Sequence, residues 1–252
     1  MIYWVGRERR FGNERVINLP HTRTVFDADL HDLMRMVAEM GGLVEQQIAH
    51  AFDALAQKNA ALAYQVINRD SAIDALQAEI EDKAINIIAQ RQPLAIDLRE
   101  IISALHISND LERIGDLAKN ISKRTIAIED ATMPTSLISG FEHMTHMVMG
   151  QFKTALDSYV QRDVDKALAV RNGDLEIDAF NNALFHETMV YMNEDPENLV
   201  ASTQILFCVK NLERIGDHST NIAEAVHYII CGYVPESERP KGDTTNFYPL
   251  NA

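Results

Sequence analysis

The sequence is poor in several features that would place it in large protein classes. Only two of its 252 residues are cysteine. Cys208 and Cys231 fall in one stretch that reads as a single long helix, which would hold them about 34 Å apart. No disulfide spans that distance, and such cysteine usage suits a reducing compartment and a cytoplasmic location. Positive charge is also scarce, with 23 Lys and Arg against 37 Asp and Glu and a net charge of −14. Nucleic-acid binding needs a basic face, so that class is excluded. Direct capture of anions is disfavoured unless a cation or a local basic patch intervenes. No run of about 20 apolar residues exists to span a membrane. Residues 1–20 carry Arg7, Arg9, Arg10 and Arg15 but no apolar run of signal-peptide length. The G-x-x-x-x-G-K-[ST], G-x-S-x-G and G-x-G-x-x-G patterns are missing, and with them the nucleotide-binding and hydrolase signatures. His186-Glu187 begins an H-E-x-x-H pattern, but position 190 is Val. Strand and hairpin signals are missing too.

What the chain does contain is a duplication. Asn109 to Ile121 reads NDLERIGDLAKNI, and Lys210 to Ile222 reads KNLERIGDHSTNI. The copies share Leu-Glu-Arg-Ile-Gly-Asp and a following Asn-Ile at a constant offset of 101 residues. The chain is therefore two copies of one unit. In each copy Glu, Asp and Asn recur every four residues: Glu112, Asp116, Asn120 and Glu213, Asp217, Asn221. On a helix they line one face. Leu111, Ile114, Leu117 and Ile121 form an apolar stripe beside that line, which puts the acids at the edge of a helix–helix interface. Gly115 and Gly216 each cost about 1 kcal/mol against Ala in a helix interior. Their recurrence predicts a close backbone approach or room for something bound.

Hydrophobic periodicity predicts an all-α fold of six long helices, three per repeat, forming two similar antiparallel three-helix bundles. The helices are expected at about 29–57, 61–90, 94–128, 137–161, 164–192 and 197–230. Gly41-Gly42 is a candidate kink in the first, and Gly232 with Pro235 stops the last. Residues 1–20 read as an N-terminal extension, 21–131 as the first bundle, 136–233 as the second, and 234–252 as a loosely held tail. Thr132 to Thr135 is the linker.

The second helix of each repeat carries its own acid pair, Asp70 with Asp74 and Asp174 with Asp178. Each bundle can thus bring together four carboxylates: Asp70, Asp74, Glu112 and Asp116, or Asp174, Asp178, Glu213 and Asp217. Clustered carboxylates repel, a like-charged i, i+4 pair costing a few tenths of a kcal/mol. A bound cation reverses that sign, and oxygen-rich ligand sets suit ions such as Mg, Mn or Fe. The alternative is a solvated acidic surface offset by Arg113 and Arg214, with Asp70 or Asp174 serving as a helix cap. His143 and His146 share a helix face and read as partly exposed polar residues. The methionines of the first and fourth helices read as gap-filling core. Glu224-Ala-Val-His227 is the single Glu-x-x-His in the chain, where a di-iron carboxylate bundle uses two.

The doubled LERIGD…NI, the PLAIDLREIISALHISND before the first copy, the NIAEAV after the second and the opening HTRTVFDADLHDLMRMVAEMGGLVEQQIAHAFDAL together resemble the PhoU family of phosphate-signalling regulators, over about residues 21–233. The resemblance implies a negative regulator of the phosphate-starvation response and of phosphate uptake, with no catalysis of its own. It implies a cytoplasmic, commonly dimeric adaptor. Its partners would be the ATPase subunit of the phosphate ABC transporter and a phosphate-sensing histidine kinase. It also implies metal (Fe, Mn, Mg or Zn) held by the E/D-x-x-x-D motifs, here Glu112/Asp116, Glu213/Asp217, Asp70/Asp74 and Asp174/Asp178. Position 198 is Asn where the first repeat has Asp97, so the halves need not bind metal alike. The alternative from another class is a carboxylate-bridged metalloenzyme in a helical bundle.

Overall fold

A computed structural model describes residues 20–131, 133–235 and 242. The elements are α1 (Pro20–Ala56), α2 (Ala60–Arg91), α3 (Ala95–Ala127), α4 (Thr135–Gln161), α5 (Val164–Glu194), a 3₁₀ turn (Pro196–Asn198) and α6 (Leu199–Cys231). Residues 1–19 of the expected extension (1–20), the linker residue Thr132 and most of the expected tail lie outside the described residues.

The helix boundaries fall within two residues of the sequence reading except at the start of α1. α1 begins at Pro20, well before the apolar stripe starts. Proline suits the first helical position because its missing N–H is unpaired there in any helix. Periodicity marks only the part of a helix that packs, so the first turns were invisible to it. The last helix begins at Leu199 because Pro196–Asn198 form a tighter turn, whose entry Asp195 caps through its side chain.

Short connections force neighbouring helices antiparallel. Asn59 caps α2 by accepting from the Leu62 N–H at 3.0 Å. Asp163 caps α5 by accepting from the Asp165 and Lys166 N–H groups. Gly232, at φ 87°, ends α6 in the left-handed conformation, with its N–H on the Tyr228 carbonyl. α1, α2 and α3 pack on one another, as do α4, α5 and α6. The halves meet through α3 against α6 and α1 against α4, leaving α2 and α5 on the outside.

Contacts across the α3–α6 seam run in opposite chain directions. Arg99 lies over the Tyr228 ring, Asp110 meets His218, and Arg124 bonds Gln204 at 2.8 Å. The helices therefore cross at the duplicated signature, where Ile114 and Ile215 are both fully buried. The buried apolar residues of both bundles form one continuous core.

α1 runs through Gly41 and Gly42 as one helix. A Cβ at Gly41 would stand 2.7 Å from Leu156 Cδ2, so the glycine lets α4 close onto α1. Both cysteines lie in α6, unpaired, with Cys208 buried and Cys231 exposed. Burial pushes the Cys208 thiol up to about 12. A bulky thiol reagent is therefore expected to modify one cysteine rapidly in the native protein and both after unfolding. Rapid modification of both in the native state would show that α6 is not packed at Cys208.

Candidate functional site

The two acid clusters lie where α2 faces α3 and where α5 faces α6. In the first, Glu112 and Asp116 stand one turn apart on α3, and Asp70 of α2 is linked to Asp116 through Lys119. Asp70 is buried, at 4 % exposure. Its Oδ1 accepts from Gln47 Nε2 of α1 at 2.9 Å, and the same amide donates to the Gly115 carbonyl at 3.1 Å. Its Oδ2 accepts from Lys119 Nζ, which also donates to Asp116 Oδ1 at 2.6 Å. Asp74 sits at the exposed rim.

Lys119 divides this cluster electrically. Burial works to raise the Asp116 carboxyl, but hydrogen bonding and attraction to Lys119 outweigh it and hold Asp116 below its usual value. Burial works to lower the Lys119 ammonium, and its bonds to Asp116 and Asp70 outweigh that and raise it. Glu112 lies beyond this reach and is raised by burial and then by the charge of Asp116. Asp74 is raised by burial and by the charge of Asp70. Arg113, expected to offset the acids, touches Glu112 at 3.5 Å but is itself mostly in water.

A raised carboxyl makes a favourable contribution below its unfolded value, here 4.5, that is lost as pH rises through the folded value. At neutral pH an ionised Glu112 therefore works against folding. Glu112→Gln is expected to be more stable than the parent by about 0.5 kcal/mol at pH 7, the size of a like-charge i, i+4 repulsion. The advantage should vanish as pH falls to about 4. Urea unfolding at both pH values tests this, and an advantage independent of pH would refute it.

The second cluster has the same frame and different fittings. Asp174, Asp178 and Glu213 are all buried, at 2 %, 3 % and 5 % exposure, and Asp217 is half-buried. Gln151 of α4 takes the place of Gln47, donating to Asp174 Oδ1 at 3.2 Å. The Thr220 hydroxyl, at the position of Lys119, donates to the same oxygen at 3.3 Å. Lys210 reaches Glu213 from one turn earlier, Nζ to Oε1 at 3.0 Å. The Gly242 N–H donates to Asp178 Oδ2 at 2.6 Å, and Asn182 donates to the Gly242 carbonyl at 2.7 Å. Part of the segment read as a loosely held tail thus returns to α5 at this cluster.

The signature glycines make room for these glutamines and for the α2 and α5 isoleucines. A Cβ at Gly115 would stand 3.1 Å from Ile73, and one at Gly216 would stand 3.0 Å from Gln151 Oε1. Among the described residues no three His, Cys, Asp or Glu side chains converge as ligands of one ion. Lys119 links Asp70 with Asp116 across α2 and α3, but among the described residues the eight predicted acids form no preformed ligand cage.

Sequence reasoning missed Gln47, Gln151 and Lys119. The signal for Lys119 was present in the repeat itself. Between the identical blocks the copies differ at three positions, and the last is Lys119 against Thr220. Asp97 and Asn198, offered as the point of difference, lie about 22 Å along the helix from Glu112 and Glu213, fifteen residues away at 1.5 Å each. Asn198 bonds the Tyr191 carbonyl instead.

The histidines serve packing and the seams. His143 tilts against Phe180 and His146 against Phe52. His218 and Asn221 of α6 bond Asp110 of α3 at 2.8 and 3.3 Å, joining the halves. Glu224 pairs with Arg171, and His227 Nδ1 faces the Tyr233 carbonyl at 2.9 Å. The one Glu-x-x-His is therefore engaged by Arg171 and by the Tyr233 carbonyl.

Comparison with known proteins agrees with this architecture. The PhoU domain pattern matches residues 37–125 and 141–226. The chain is 47 % identical over 226 residues to the phosphate-specific transport system accessory protein PhoU homolog of Rhizobium meliloti (strain 1021), covering 90 % of this chain and 95 % of that protein. It is 44 % identical over 223 residues to the homolog of Caulobacter vibrioides (strain NA1000 / CB15N), covering 88 % and 97 %. The crystal structure of PhoU from Pseudomonas aeruginosa superposes with a TM-score of 0.80 at 36 % identity, over 82 % of this chain and all of that one. That of the phosphate transport system regulatory protein PhoU from Streptococcus pneumoniae gives 0.78 at 29 % identity, over 84 % and 100 %. These are accessory and regulatory proteins rather than enzymes, so the metalloenzyme alternative is not retained. The chain, two helical PhoU domains joined at their signature helices, belongs to the PhoU family of phosphate transport accessory and regulatory proteins.

Proposed function

We propose that this protein is a cytoplasmic negative regulator of phosphate uptake and of the phosphate-starvation response. It would act as a homodimeric adaptor between the ATPase subunit of a phosphate ABC transporter and a phosphate-sensing histidine kinase. The observation that carries the reading is the doubled signature within a chain that matches phosphate-transport accessory proteins over nearly their whole length. No helix among the described residues is long and apolar enough to cross a membrane, so contact with the transporter would be made by docking. Leu94, Ile96, Leu199, Val200 and Phe207 are large apolar side chains left about half or more exposed, and such positions suit protein contacts. The domain limits 21–131 and 136–233 are part of the same proposal.

Metal binding by the acid clusters is its second element. A cation there would neutralise the carboxylates between α2 and α3 or between α5 and α6. The donor set is oxygen-rich, as Mg, Mn or Fe prefer. The absence of three converging ligands among the described residues means that loading needs side-chain rotation. The second cluster fits better, with three buried carboxylates and a neutral Thr220 in the position of the first cluster's lysine.

Deleting the gene in its host and measuring phosphate uptake and a starvation-responsive reporter in phosphate-rich medium tests the function. The expected result is derepression of both. Unchanged uptake and reporter output would refute the regulatory reading. A pull-down with the tagged protein at high and low phosphate identifies the partners, and recovery of neither the ATPase nor the kinase would refute the adaptor role.

A further inference from the structure

The two clusters descend from one repeated unit, yet the position held by Lys119 in the first is Thr220 in the second. We propose that Lys119 is the resident cation of the first carboxylate cluster and keeps metal out of it, so that the motif acids Asp70, Asp74, Glu112 and Asp116 form a metal-independent structural site. The counterpart claim, that an ion enters the second cluster, rests on the metal reading given above.

Three observations carry the proposal. The Lys119 ammonium bridges the two helices, touching Asp70 Oδ2 on α2 and lying 2.6 Å from Asp116 Oδ1 on α3. Metal–oxygen bonds run about 2.0 to 2.6 Å, so an ion shared by these two carboxylates would need the space that the ammonium fills. The other oxygen of Asp70 is engaged by Gln47 Nε2 at 2.9 Å. Both oxygens of the buried acid are therefore committed to donors from the chain. Finally, the lysine is built in rather than swung in from the surface. It stands three residues after Asp116, on the same helix face, and its side chain is 21 % exposed. A divalent ion would have to expel it and break two charge-assisted bonds, which are about twice as strong as neutral ones. The second repeat has Thr220 at this position, so this cation is missing there.

The test counts bound Mn or Zn per chain by equilibrium dialysis and elemental analysis. It uses the full-length metal-free protein, Lys119→Thr (the residue of the second repeat), Lys119→Met, Asp116→Asn and the double variant Lys119→Thr/Asp116→Asn. Circular dichroism checks folding. The lysine variants are expected to bind one more ion per chain than the parent, and the double variant should lose it. Asp116→Asn alone should bind the same number as the parent. If the lysine variants bind no more than the parent, or if Asp116→Asn alone loses an ion, the proposal is overturned. Should neither lysine variant fold, Asp116→Asn decides between unchanged content, which supports it, and a lost ion, which overturns it. A parent that binds no ion, with lysine variants that bind one, supports the role of Lys119 and refutes the metal reading of the second cluster.

Discussion

Replacing Lys119 by Met is expected to destabilise the metal-free protein by about 3 kcal/mol at pH 7, the scale for removing one partner of a buried ion pair. Asp70 would keep its Gln47 bond but lose its only cation among the contacts described for it, at 6 % side-chain exposure. The pH dependence has a definite sign. Lys119 is raised from 10.5, so its contribution is present below that value and lost as pH rises through the folded value. Asp116 is lowered from 3.8, so its contribution is present above that value and lost as pH falls through the folded one. The penalty should therefore be full between about pH 5 and pH 10 and should shrink in acid, as Asp116 takes up its proton. Urea unfolding of parent and variant at pH 7 and pH 3 measures it. A difference below about 0.5 kcal/mol at pH 7 would place this pair with ordinary surface salt bridges.

Ile114→Ala and Ile215→Ala, at the crossing of α3 and α6, are each expected to cost about 3 kcal/mol through lost burial and a residual cavity. Both side chains are fully buried within a core that runs through both bundles. The loss should therefore appear as one shifted unfolding transition rather than two. Hydrogen exchange under mild denaturant is expected to show α2 and α5, the outer helices of opposite bundles, losing protection together. Loss of one bundle's protection with the other intact would show that the bundles are energetically separate, whatever the helix seam between them.

Ion pairs at the bundle ends support this coupling. Arg162 at the end of α4 pairs with Glu100 on α3 and touches Met34 of α1, tying the second bundle to the first. Asp29 of α1 takes Lys83 and Arg91 of α2 at 3.1 Å each, which closes the end of the first bundle without joining the halves. These pairs are partly exposed, so each adds little alone; the apolar seam between the halves carries the coupling.

The sequence by itself determined the helices, their order and their pairing into repeats. A period of 3.6 residues shows itself wherever a helix buries one face, and a duplicated motif shows itself by identity at a fixed offset. The same local spacing placed Glu112 with Asp116 and Glu213 with Asp217, because residues four apart on a helix must be neighbours. What spacing cannot state is which residue of another helix stands opposite. Gln47 lies 23 residues from Asp70 and 68 from Gly115, and only the packing of α1 on α2 and α3 brings the three together. The contact at Gly41 is hidden from spacing for the same reason: the atom that needs its missing Cβ belongs to Leu156, on α4. Lys119 was legible as a neighbour of Asp116, three residues on, but its bond to Asp70 on α2 depends on the register of two helices. That register is set by the burial of the whole apolar stripe, which no short motif contains. The likeness of the two acid clusters and the exchange of Lys119 for Thr220 were therefore written in the sequence, and what that exchange does to Asp70 was decided by the tertiary structure.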